Sequence, residues 1–125
     1  MSKTLLVIDD DDDIREIAQL ALELGASWTV FTAASGPEGV ATATSSHPDA
    51  ILLDVMMPGV DGPTTLELLR RNDDTSAIPV VFLTAKSRPA ERERLMALGV
   101  SGVLAKPFDP MFLSEQVAVL LGWQL

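Results

Sequence analysis

Four aliphatic runs in the sequence end on side chains that can do chemistry. "LLVI" runs into Asp9 and Asp10, "AILL" into Asp54, "PVVFL" into Thr84 and "GVLA" into Lys106. Two carboxylates about 4 Å apart repel by about 1 kcal/mol in water and about 4 kcal/mol at an effective dielectric near 20. A hard divalent cation removes that conflict, and Mg²⁺ typically takes one or two carboxylates while keeping several waters. Asp9 and Asp10 are therefore candidate metal ligands. Asp54 leaves an apolar run beside them and is a candidate nucleophile. Lys106 carries an ammonium that can pair with Asp54, or with phosphoryl oxygens held by charge-assisted hydrogen bonds. Thr84 offers a hydroxyl to the same oxygens, and the small Ala85 after it leaves room. Lys106 precedes Pro107, whose tertiary amide is compatible with a cis bond.

Asp9 and Asp10 open a run of five aspartates that continues through Asp13. Asp11, Asp12 and Asp13 read as the start of a helix, where each acid gains about 0.3–1 kcal/mol from the helix dipole. A calcium loop does not fit. Counted from Asp9, the sixth position is Ile14 instead of glycine and the twelfth is Leu20 instead of glutamate.

The elements that must position these groups follow from the apolar pattern. Five runs, Leu5–Ile8, Trp28–Ala33, Ala50–Leu53, Pro79–Leu83 and Gly102–Ala105, are mostly continuous in Val, Ile or Leu. Such runs suit strands covered on both faces of a parallel sheet. Between them lie segments of helical period. Ile14, Ile17, Ala18, Ala21 and Leu24 mark the first; Leu66, Leu68 and Leu69 the third; Leu95, Met96 and Leu98 the fourth; Phe112, Val117, Leu120 and Leu121 the last. Ser35 to Glu38 reads as a capping box opening the second helix. Gly25 and Gly99 fall where helices one and four should end on a left-handed residue. Asp109-Pro110 reads as an N-cap followed by proline at the first helical position. Strands about 20–30 residues apart leave room for crossover helices. The pattern predicts an α/β fold, (βα)5, with a doubly wound parallel sheet in one domain over residues 1–125. In such sheets ligands bind beyond the carboxyl ends of the strands. That places Asp9, Asp10, Asp54, Thr84 and Lys106 on one rim.

Composition narrows the function classes. A net charge of −9 and a pI near 4.3 give no basic footprint for nucleic acid. With no cysteine there is no disulfide or thiolate site, which fits a reducing, cytoplasmic setting. No stretch approaches the roughly 20 apolar residues of a membrane span, so no membrane partner is expected. His47 lies in a polar turn and is expected to be exposed. Met56 and Met57 are expected to shield the metal loop, and Trp28 to pack at the start of the second strand. Trp123 reads either as a core anchor or as a partner contact.

Taken together, "LLVIDDDDDIR", "PDAILLDVMMPGVDG", "IPVVFLTA" and "GVLAKPFDP" resemble the receiver domain of two-component response regulators. The resemblance covers essentially the whole chain, with every motif in order. It implies a flavodoxin-like sheet of strand order 2-1-3-4-5. It also implies that Asp54 accepts a phosphoryl group from a histidine kinase or a histidine phosphotransfer protein. By the same match Asp10, Asp54 and the backbone carbonyl of Met56 would ligate Mg²⁺, with Asp9 assisting through water. Thr84 and Lys106 would hold the phosphoryl oxygens, and an output protein or domain outside this chain would read the change.

Two departures from the family pattern stand out. Receivers usually carry Tyr or Phe three residues before the lysine, where this chain has Val103. Output is therefore expected through helix four, helix five or another face, without the usual threonine–aromatic coupling. The positions two residues after Asp54 and Thr84, which tune phosphoryl lifetime in the family, are Met56 and Lys86. Neither orients an attacking water well, so self-dephosphorylation is expected to be slow. Three competing readings are weaker. A metal-dependent phosphatase would want a second acid where Met56 stands. A flavin carrier would want a hydroxyl-rich phosphate loop after the first strand. A platform that is never phosphorylated would not need the full set of polar residues.

Overall fold

The computed structural model describes residues 2–86 and 88–124. Strands and helices alternate: β1 (Thr4–Ile8), α1 (Asp12–Ala26), β2 (Thr29–Ala33), α2 (Gly36–Ser46), β3 (Ala50–Asp54), α3 (Gly62–Arg71), β4 (Val80–Thr84), α4 (Pro89–Met96), β5 (Gly102–Ala105) and α5 (Leu113–Leu121). The five strands are parallel and lie in the order β2-β1-β3-β4-β5. This is the expected doubly wound sheet.

The continuous apolar runs are explained by two cores, one on each face. Successive side chains of a strand point to opposite faces. Leu5, Val7, Leu52, Val81 and Leu83 therefore face α1 and α5, together with Leu22, Leu113 and Val117. Leu6, Ile8, Ile51, Leu53 and Phe82 face the other way, onto Leu66, Leu69 and Leu95 of α3 and α4. Burying each such side chain contributes about 1.5–3 kcal/mol relative to exposure. The central strands β1 and β3 have no polar face, which is why their sequences do not alternate.

The helices differ from the sequence expectation in several places. On α1 the buried residues are Ala18, Ala21 and Leu22, while Ile17 and Leu24 are exposed. Gly25 does not end that helix; the left-handed residue is Ser27, at φ 58°. Gly25 lies inside the last turn because a Cβ there would sit 2.6 Å from Ser114 Oγ of α5. Its missing side chain serves close helix packing. Gly99 does adopt the left-handed conformation, at φ 81°. α5 begins at Leu113. Asp109 caps only the preceding turn, accepting the Met111 N–H at 2.9 Å. Phe112, Met96, Leu98 and Leu68 are partly exposed, and α4 buries only Leu95.

The capping box of α2 forms with a small change of partner. Ser35 Oγ accepts the Glu38 N–H at 3.3 Å, and Glu38 Oε2 accepts the N–H of Ala34 at 3.1 Å. At the far end of the sheet Trp28 and Trp123 meet edge to face, with ring centroids 5.4 Å apart, and Lys3 Nζ lies 4.8 Å from the Trp123 ring. Trp123 is partly buried and packs against the core, as a core anchor would. His47 is exposed and ends α2 in a left-handed conformation, at φ 47°. None of the described helices is long and apolar enough to cross a membrane.

Candidate functional site

Strand register brings the candidate side chains to one level. Ile8 pairs with Leu53 and Ala33, Asp54 with Leu83, and Thr84 with Ala105. β1, β3 and β5 each continue one residue past the ladder with a backbone bond. Asp9 N–H donates to Ala33 O at 3.1 Å, Val55 N–H to Leu83 O at 3.0 Å, and Lys106 N–H to Thr84 O at 2.8 Å. The carboxyl ends of β1, β3, β4 and β5 thus form one rim, with Asp9, Asp10, Asp54, Thr84 and Lys106 all on it.

The acids converge. Asp9, Asp10 and Asp54 each offer a carboxylate oxygen, and these oxygens all lie within 4.8 Å of one another. Asp9 is fully buried and Asp54 is 4% exposed, while Asp10 faces solvent. The Lys106 ammonium bridges the two buried acids, at 2.6 Å from Asp9 Oδ2 and 3.1 Å from Asp54 Oδ1. Besides the expected pairing of Lys106 with Asp54, the ammonium makes a closer bond to Asp9. The Lys106–Pro107 bond is cis.

Burial and these contacts together shift the pKa values of Asp54 and Lys106. Burial is the main cause raising the Asp54 pKa from 3.8 to about 6; the charge of Asp9 raises it further, and Lys106 opposes both. Burial works against the charge on Lys106, but the hydrogen bond and charge of Asp9, followed by those of Asp54, outweigh it and leave its pKa raised. Lys106 therefore remains an ammonium at neutral pH. One ammonium facing three carboxylates leaves the site negative, and its oxygen-only donor set suits a hard divalent cation.

The flanking loops complete the site. Met56 N–H points at Asp54 Oδ1, 3.4 Å away, while the Met56 side chain is exposed. Met57 packs in the core with Leu66, Leu69 and Leu95, so of the two methionines only Met56 is exposed. Thr84 is 1% exposed, and its hydroxyl oxygen accepts the Lys86 N–H at 3.0 Å, leaving the hydroxyl proton available to donate. Lys86 itself is exposed. A cavity of about 730 Å³ opens between the loop after β3 and α4, with Met56, Pro58, Thr84, Lys86 and Leu95 among its walls.

Two helix starts hold the loops. Asp11 is the N-cap of α1 and accepts the N–H groups of Asp13 and Ile14 at 2.9 and 3.3 Å. Asp61 caps α3 and accepts the Thr64 N–H at 2.9 Å. Gly62 packs so tightly on β3 that a Cβ would lie 2.5 Å from the Asp54 carbonyl oxygen. Arg15, which carries no expected role in the sequence, donates from its guanidinium to the Asp9 carbonyl at 2.8 Å. The available signal was an arginine three residues after Asp12, within reach across one helical turn.

The chain resembles known proteins over nearly its whole length. Residues 5–118 match the response regulator receiver domain family, and the chain belongs to that family. It is 38% identical over 117 residues to the DNA-binding dual master transcriptional regulator RpaA of Synechocystis sp. PCC 6803, a match covering 94% of this chain and 48% of RpaA. It is 39% identical over 127 residues to the response regulator PleD of Caulobacter vibrioides, covering all of this chain and 27% of PleD. The chain thus spans half or less of these curated relatives. Among solved structures, the chemotaxis protein CheY4 of Vibrio cholerae superimposes with a TM-score of 0.87 at 30% identity, over 96% of this chain and 99% of CheY4. A putative response regulator from Chloroflexus aurantiacus gives 0.86 at 36% identity, over 98% and 99% of the two chains.

Proposed function

We propose that residues 1–125 act as one receiver domain in which Asp54 accepts a phosphoryl group from a phosphohistidine donor in a Mg²⁺-dependent reaction. The observation that carries this reading is the placement of Asp54. It is a buried carboxylate at a strand end, with an ammonium 3.1 Å away and two further acids beside it. Asp9, Asp10, Asp54 and the Met56 carbonyl would hold the cation. When bound, Mg²⁺ neutralises the acids and the charge of the incoming phosphoryl group.

The chain's own residues do the rest. With a pKa of about 6, Asp54 is mostly ionised at neutral pH and can attack phosphorus. The new bond joins its carboxylate oxygen to phosphorus while the phosphorus–nitrogen bond to the donor imidazole breaks, returning the electron pair to that nitrogen. Such transfer depends on positioning and charge neutralisation. Lys106 and the Thr84 hydroxyl donate to the phosphoryl oxygens. The chain is a phosphoacceptor switch, with slow self-dephosphorylation as its only turnover.

The phosphoryl group adds about −1.5 to −2 charges to the rim. Pulling Thr84 and Lys106 toward it shifts the loops after β4 and β5, which biases α4, β5 and α5 between two arrangements. α4 suits this role because it buries only Leu95. A partner protein responds to the extent that it binds one arrangement better. The donor is a histidine kinase or a histidine phosphotransfer protein, and no nucleic-acid contact is assigned to this acidic chain.

The test is intact mass after incubation with acetyl phosphate and Mg²⁺. One added phosphoryl group is expected, absent in Asp54→Asn and absent in EDTA. No gain in the wild type would leave a binding platform that is not phosphorylated.

A further inference from the structure

We infer that Arg15 is a positioning residue for the divalent-cation site, holding the acidic loop in its ligating shape although it carries the wrong charge for a cation. The inference rests on the metal reading above and concerns a residue outside the proposed ligand set.

Every polar atom of Asp9 has a partner. Its N–H donates to Ala33 O at 3.1 Å, Oδ1 accepts the Asp11 N–H at 3.0 Å, and Oδ2 accepts Lys106 at 2.6 Å. Its carbonyl oxygen accepts Arg15 Nη1 at 2.8 Å. The second nitrogen of the same guanidinium, Nη2, pairs with the carboxylate of Asp12. Arg15 thus clamps the end of β1 to the first turn of α1, and Asp10 lies on the short arc between. The clamp is partly sheltered: the Arg15 side chain is 18% exposed, whereas that of Asp12 is 88% exposed.

An exposed i,i+3 ion pair alone would contribute little. The bond to the Asp9 carbonyl is different, because it fixes backbone. Asp10 is exposed, and the direction of its carboxylate follows from how Asp9 and Asp11 on either side are held. Partners that orient metal ligands from outside the ligand set typically change metal affinity by about 10–100-fold when removed. The fork of arginine is needed to reach carbonyl and carboxylate at once, since lysine offers a single point of charge.

The two possible roles predict opposite signs. If Arg15 acts only as a charge, deleting it removes a cation near a cation site and Mg²⁺ binds more tightly. If it positions the loop, deleting it weakens Mg²⁺ binding despite the extra negative charge.

The experiment is calorimetric titration of Mg²⁺ into the full chain as wild type, Arg15→Gln and Arg15→Lys. Amide hydrogen exchange at Asp11 is followed in EDTA on the same proteins. The expected result is affinity weakened about ten-fold or more in Arg15→Gln. Arg15→Lys should also bind less tightly than wild type, and exchange at Asp11 should be faster in the metal-free Gln variant. Wild-type binding with equal or tighter binding in Arg15→Gln would overturn the inference alone. No Mg²⁺ binding by the wild type would overturn the metal reading and this inference with it.

Discussion

Replacing Asp54 with asparagine should stabilise the metal-free protein at neutral pH. Asp54 is 4% exposed, and its pKa is raised from 3.8 to about 6, first by burial and then by Asp9. A raised acid pKa means that the folded state favours the proton. The stabilisation from the protonated form is complete below pH 3.8 and is lost as pH rises through about 6. The gap is roughly two pH units, at about 1.4 kcal/mol each, so the ionised carboxylate costs the fold on the order of 3 kcal/mol at pH 7.5. Asparagine keeps the shape, keeps an acceptor for Lys106 and carries no charge. For a chain of this size the gain corresponds to on the order of 10 °C in Tm. The assay is thermal or urea unfolding of both proteins in EDTA at pH 7.5 and again at pH 4.5. The variant should lead at pH 7.5, the lead should shrink at pH 4.5, and Mg²⁺ should narrow it by stabilising the wild type alone. An asparagine variant no more stable than wild type at pH 7.5, or equally ahead at both pH values, would show that the ionised Asp54 carboxylate does not destabilise the fold.

Further predictions concern the supports of the site. Gly62→Ala places a Cβ against the backbone of Asp54 and Val55, which cannot move aside as a flexible side chain would. It should cost about 1–3 kcal/mol in urea unfolding and weaken Mg²⁺ binding in titration calorimetry. Ser27→Gly relieves a left-handed serine at φ 58°, and scanning calorimetry should show a gain of about 0.5–1 kcal/mol. Phospho-Asp54 should persist for minutes or longer in Mg²⁺ buffer, because Met56 and Lys86 are poor at orienting water. Loss of the phosphoryl group within seconds, followed by intact mass, would contradict that assignment.

The sheet and the rim were legible in the sequence because both follow from short-range rules. A strand covered on both faces must be apolar throughout, and Leu5–Ile8 and Ala50–Leu53 are. Once such strands are parallel, the residues after them share an edge, so Asp9, Asp54, Thr84 and Lys106 could be grouped without coordinates. Helical detail was less legible. The apolar residues of α1 fit two overlapping faces, and only the packing against the sheet and α5 selects Leu22 over Leu24. Gly25 carried the signal of a helix end, but the need was for contact with Ser114, a residue distant in sequence. The bond from Lys106 to Asp9 and that from Arg15 to the Asp9 carbonyl are likewise set by tertiary placement. Neither has a local signature stronger than a charged residue in a charged neighbourhood.

On the proposed function, Asp54 alone takes the phosphoryl group. Borohydride reduces an acyl phosphate, so a phosphorylated aspartate becomes homoserine, and peptide mapping then locates it. After treatment with acetyl phosphate and Mg²⁺, homoserine should appear at position 54 alone. Homoserine at position 9 or 10, or unmodified aspartate throughout, would contradict Asp54 as the phosphoacceptor.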